Sequence, residues 1–76
     1  MKYKLTSDEI ARVAKDFTYH SPKEDQFPRY HEIRETAAAV AAGLMQNCPP
    51  SRERSLALTA LEECVMWANA SIARNE

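Results

Sequence analysis

Apolar positions fall in three helical stretches of the chain. After the polar opening Lys2-Tyr3-Lys4, Thr6 with Glu9 three positions later fits a capping box, and Ile10, Val13 and Phe17 follow at helical spacing. This predicts a short helix over about 7–16. Residues 18–27 lose the period, and Pro22 disfavours helix at Ser21, so they are expected to form an ordered loop. Pro28, with no N–H to leave unpaired, suits the first turn of a second helix over about 28–46. Tyr30, Ile33, Ala37, Val40 and Leu44 give that helix a 3-4 stripe.

Pro49-Pro50 must end it, and Ser51 is a good N-cap for a third helix, expected over 51–74. Leu58, Leu61, Val65, Ala68 and Ile72 form one stripe there; Leu56, Ala60, Cys64 and Trp67 form a second beside it. Two stripes on one helix need two partners. One is the second helix across the Pro-Pro turn, and the other is the first helix or a second subunit. The expected fold is all-α: one domain over 1–76, an antiparallel helical hairpin with a short N-terminal helix. With 76 residues and no disulfide framework or metal cage, added burial in a homo-oligomer is expected. The alanines at 38, 39, 41 and 42 with Gly43 agree, since small residues let backbones approach closely.

Charge and composition narrow the chemistry. A formal net charge of −1 gives no basic field for a DNA or RNA polymer. The N-terminus has no apolar core of a signal peptide, and the apolar run 37–45 is too short for a membrane span. A cytosolic protein with no membrane partner is therefore expected. Cys48 and Cys64 lack any pairing pattern and are read as reduced, half-buried small hydrophobes.

Few motifs carry catalytic chemistry. His31-Glu32-Ile33-Arg34-Glu35 lacks the second histidine of a zinc-protease helix, so no metal and no cofactor is expected. A single glycine, Gly43, rules out a phosphate-binding P-loop. Neither histidine brings a partner that could activate a serine or cysteine, and an enzyme, a phosphodiesterase included, is not expected. Arg52 and Arg54, in Ser51-Arg52-Glu53-Arg54-Ser55, read as solvated charges at a capped helix start, and Arg74 as a cation on the C-terminal helix dipole. More informative is the run Tyr19-His20-Ser21-Pro22-Lys23 with Arg34. It sets a ring, an imidazole, a stiff proline and two cations within sixteen residues. That inventory suits a nucleotide, with the ring for base stacking and the cations for phosphate.

The wording of several blocks adds to this. Phe17-Thr18-Tyr19-His20-Ser21-Pro22-Lys23, Arg29-Tyr30-His31-Glu32-Ile33-Arg34, Ser51-Arg52-Glu53-Arg54-Ser55-Leu56-Ala57-Leu58-Thr59, Leu61-Glu62-Glu63 and Val65-Met66-Trp67-Ala68-Asn69-Ala70-Ser71-Ile72-Ala73-Arg74 together resemble the phage anti-CBASS cyclic-nucleotide sponge family. The helical hairpin of that family is shared with the anti-Thoeris sponge. The resemblance implies a phage protein in the host bacterial cytoplasm. It would bind cyclic dinucleotides such as cyclic GMP-AMP, and cyclic trinucleotides, without cleaving them, and so block CBASS immunity. It also implies a homohexamer with dinucleotide pockets between paired protomers and trinucleotide pockets near three-fold axes. Tyr19 would stack on a purine and Arg34 would contact the ligand. His20, Pro22 and Lys23 would shape the rim, and Arg74 would meet trinucleotide phosphates. Some relatives carry lysine at the position of Arg34, where arginine adds a planar fork. The alternative is a structural or protein-binding hairpin with no small-molecule ligand.

Overall fold

A computed structural model describes residues 2–76; Met1, the first residue of the expected single domain, lies outside the described residues. It holds three helices and, among those residues, no strand: α1 (Ser7–Asp16), α2 (Gln26–Asn47) and α3 (Arg52–Asn75). The expected capping box is present at α1, where the Thr6 hydroxyl accepts from the Glu9 N–H at 3.1 Å and Glu9 Oε1 accepts from the Thr6 N–H at 2.9 Å. The Thr6 backbone N–H, and after it the Thr6 side chain, favour the charged Glu9 carboxylate and lower its pKa.

The loop ends earlier than the sequence pattern suggests. α2 begins at Gln26, so Pro28 is its third residue and the stretch 26–27 is helix. The physical reason is that the first four N–H groups of any helix lack an internal acceptor, so a proline fits anywhere in that turn. The Gln26 side chain helps start the helix by accepting from the Lys23 N–H at 2.9 Å. At the other end, α2 stops before Cys48-Pro49-Pro50 as expected. The Ser51 hydroxyl accepts from the Arg54 N–H at 3.1 Å and donates to the Pro49 carbonyl at 3.0 Å, fixing the turn. Arg54 closes it by donating from Nη1 to the carbonyls of Cys48 (3.1 Å) and Met45 (3.3 Å), two of the oxygens that α2 leaves without helical partners. Arg54 is thus a cap for the neighbouring helix rather than a merely solvated charge.

α2 and α3 pack along the predicted stripes. Tyr30, Ile33, Ala37 and Leu44 are half-buried against half-buried Leu58, Leu61, Val65, Ala68 and Ile72, while Val40 remains 46% exposed. The second stripe of α3 is uncovered: Leu56, Ala60, Cys64 and Trp67 are all exposed. Cys64 is therefore not the half-buried residue expected, because it borders an open groove between α2 and α3 that no other described element covers.

No apolar side chain is fully buried among the described residues. The molecule is a plate about one helix thick, 49 × 38 × 13 Å, with a radius of gyration of 17.1 Å against about 11.4 Å for a compact chain of this length. Its accessible surface is 6512 Å², about 1,800 Å² more than the roughly 4,700 Å² of a folded monomer of its mass.

Candidate functional site

The residues singled out from the sequence occupy the α1–α2 loop, one face of α2 and the end of α3. Tyr19 projects its ring into solvent, 82% exposed, with no packing role to hold it back. Just beyond it, His20 donates from Nε2 to the Lys15 carbonyl at 2.8 Å, which ties the loop to the last turn of α1. Thr18 supports the same turn by donating its hydroxyl to the Ala14 carbonyl. Pro22 is exposed, and Lys23 turns toward the end of α3, where Nζ donates to the Glu76 backbone oxygen at 2.8 Å.

Arg34 stands apart from these. It is exposed on α2, eight residues after Gln26 and so about 12 Å along the helix, with no hydrogen-bonding or ionic partner among the described residues. One chain therefore supplies a free ring and a free guanidinium without closing a pocket around them. Arg74 is engaged: its Nε lies 3.8 Å from Asp16 Oδ1, and Asp16 also meets Arg12 at 3.9 Å. That arrangement holds the end of α1 against the end of α3, with a polar cleft lined by Ala11, Arg12, Lys15, Asp16, Arg74 and Asn75. His31 Nε2 lies 2.9 Å from Glu35 Oε1 across one turn, so the histidine of the His-Glu-Ile-Arg-Glu motif is engaged with a carboxylate on the exposed helix face.

One cluster escaped the sequence reading. Arg29 grips the Glu76 carboxylate in a two-pronged ion pair, and Gln26 Nε2 donates to the same group at 3.1 Å. The Arg29 bonds, then the Gln26 bond, hold the Glu76 pKa down to about 2, and the carboxylate in turn raises that of Arg29. Gln26 is 3% exposed, the most buried residue described, although its polar surroundings in sequence suggested a loop. No local pattern signals this, since the partners lie fifty positions apart. This clasp fixes the entry of α2, and with it Lys23, against α3. Asn69 on α3 also carries a buried Oδ1 with no hydrogen-bond partner among the described residues.

Two open apolar grooves run along the hairpin, one on each side of the seam. The first, of about 400 Å³, is lined by Ile33, Val40, Leu61, Cys64 and Val65 with Glu32 at its edge. The second, of about 360 Å³, is lined by Ala37, Ala38, Ala41, Met45, Leu58 and Glu62. Glu32 and Arg34 are about 200° apart around α2, so the free cation looks away from the first groove.

Residues 9–73 match the family described as Acb2/Tad1, hairpin domain. The chain belongs to that family. Its members are the anti-CBASS and anti-Thoeris sponges, a binding domain rather than a catalytic one, and membership supports a sponge-type role against host defence. No curated protein and no solved structure matches the chain. The Acb2/Tad1 match takes in the Tyr19–Lys23 loop, all of α2 and Arg34, and stops one residue short of Arg74. No helix among the described residues is long and apolar enough to cross a membrane.

Proposed function

We propose that this chain is a phage-encoded sponge that captures cyclic oligonucleotide second messengers between copies of itself in the host bacterial cytoplasm, leaving them intact and so blocking CBASS immunity. The observation that carries the reading is the solvent-facing Tyr19 ring together with the unpaired Arg34 guanidinium in a member of the Acb2/Tad1 family. A cyclic dinucleotide such as cyclic GMP-AMP carries two flat bases and two phosphate charges. Two chains related by a two-fold axis offer two rings and two cations in matching positions.

Magnitudes favour a shared site. Nanomolar binding needs about −12 kcal/mol, and stacking supplies about 1–3 kcal/mol per base. Two stacked bases and several charge-assisted hydrogen bonds, each about 1.5–3 kcal/mol, can reach it; the half-set on one chain falls short. The excess surface of about 1,800 Å² in the lone chain supports assembly, since about 800 Å² per partner makes a standard interface. A homohexamer is the assembly proposed. Within it His20 and Pro22 shape the rim of the dinucleotide pocket. Lys23, swung from Glu76, adds a second cation. Arg74 serves a separate cyclic trinucleotide site.

The test is calorimetry against cyclic GMP-AMP and a cyclic trinucleotide, followed by denaturing the complex and analysing the released ligand. Binding with intact recovery is expected. Linear products would make the protein an enzyme, and no heat with either ligand would favour a purely protein-binding hairpin.

A further inference from the structure

The chain leaves α1 without the left-handed turn that commonly caps a helix: no described residue has a positive φ, and Phe17 sits at φ −105°, ψ 10°. The Val13 carbonyl keeps a backbone partner, the Phe17 N–H at 3.0 Å. In a longer helix the next two carbonyls, of Ala14 and Lys15, would accept from the N–H groups of Thr18 and Tyr19. Here side chains take that place. Thr18 Oγ1 donates to the Ala14 carbonyl, and His20 Nε2 donates to the Lys15 carbonyl at 2.8 Å. These two residues flank Tyr19, so the exposed ring rides on a backbone tied to α1 on both sides. Packing gives it no other support, because residues 17–25 are all exposed. The next backbone hydrogen bond, Gln26 N–H to the Lys23 carbonyl at 2.9 Å, lies at the far end of the loop.

We propose that His20 is a positioning residue for Tyr19: its Nε2 bond to the end of α1 sets the place of the ring before a ligand arrives. This rests on the ring-stacking reading proposed above and says how the ring is held. A loop that is ordered in advance does not have its ordering entropy charged against binding, so the bond strengthens capture without touching the ligand. Of the two ties, His20 carries more of this role. The Thr18 hydroxyl bonds four positions back, as any threonine on a helix can, and so only prolongs the last turn. The imidazole reaches five positions back and closes the chain over Tyr19 itself. The role requires an N–H where Nε2 stands and nothing else of the ring. Glutamine places its amide nitrogen at about that distance from the backbone, whereas asparagine places its own one atom short.

The test compares the parent with His20→Ala, His20→Asn and His20→Gln by calorimetry against cyclic GMP-AMP, and by backbone amide relaxation in the ligand-free protein. One hydrogen bond is lost on each of two copies at a shared site, so the Ala and Asn variants should bind about tenfold more weakly, with Gln within about threefold of the parent. In the free protein, the amides of Tyr19 and Ser21 should gain nanosecond motion in the Ala and Asn variants and stay parent-like in the Gln variant, with α2 and α3 unchanged. Thr18→Val should act in the same direction with about a threefold loss. Equal affinity of the Ala variant and the parent would overturn the proposal. So would a Gln variant as weak as the Ala variant, which would mean that the ring itself meets the ligand. A parent that binds nothing would overturn the sponge reading instead. Unchanged motion at Tyr19 in the Ala variant overturns the positioning role in either case.

Discussion

The α2–α3 hairpin and the segment from α1 through the loop use similar apolar side chains to opposite ends. In the hairpin, Ile33, Leu44, Leu58, Leu61 and Val65 are half-buried against one another, and the turn between the helices is locked by Ser51 and Arg54. In the other segment Ile10, Val13, Phe17 and Tyr19 all face water, and the attachments are polar: His20 to Lys15, Lys23 to Glu76 and Arg74 to Asp16. The contrast teaches that folding and function are separable here. The seam holds α2 and α3 together, whereas the exposed rings and stripe remain uncovered, and on the proposed function the rings serve a ligand shared with a second copy.

That separation can be broken by substitution. The largest effect expected is for Tyr19→Ala, which removes two stacking rings from a shared site and should weaken cyclic dinucleotide binding by about 2–6 kcal/mol in calorimetry. Its helical circular dichroism should match the parent; a lost fold would place Tyr19 in the hairpin's own packing. Next, Leu44→Ala in the seam should lower stability in urea by about 2 kcal/mol, the lower end for a leucine truncation because the seam is only half-buried. Ligand stoichiometry per folded chain should not change. Thr6→Ala removes the N-cap of α1 and should cost about 1 kcal/mol, enough to fray residues 7–16 in hydrogen exchange while protection in α2 and α3 persists.

The smallest effect comes from pH. The Glu76 carboxylate is held from 4.5 down to about 2, so its contribution is full above pH 4.5 and disappears as pH falls through about 2. Amide exchange at the start of α2 and the end of α3 should quicken over that window. Glu76→Gln should abolish the pH dependence; if it persists unchanged, another group controls the clasp.

How much was legible follows from the range of each interaction. The seam was, because Tyr30 to Leu44 and Leu58 to Ile72 repeat at helical spacing and Pro49-Pro50 dictates the turn between them. The caps at Thr6 and Ser51 were too, since each is satisfied within three residues. The start of α2 was misjudged because a proline is tolerated at any position of the first turn, so Pro28 marks that turn without marking its first residue. Gln26 gave no local sign of burial, which depends on Glu76 fifty positions away. Exposure of Cys64 follows from the three-dimensional partnering of helix faces, which a stripe announces without naming the partner. As for the site, Tyr19 and Arg34 could be chosen for their chemistry and for the family resemblance, but not the engagement of Lys23 with Glu76 or of Arg74 with Asp16.

Sedimentation velocity with a trace of labelled cyclic GMP-AMP tests the central claim most directly. The account predicts that the label travels only with assembled protein, at one ligand per two chains, and is recovered intact. Label travelling with single chains, at one ligand per chain, would contradict it.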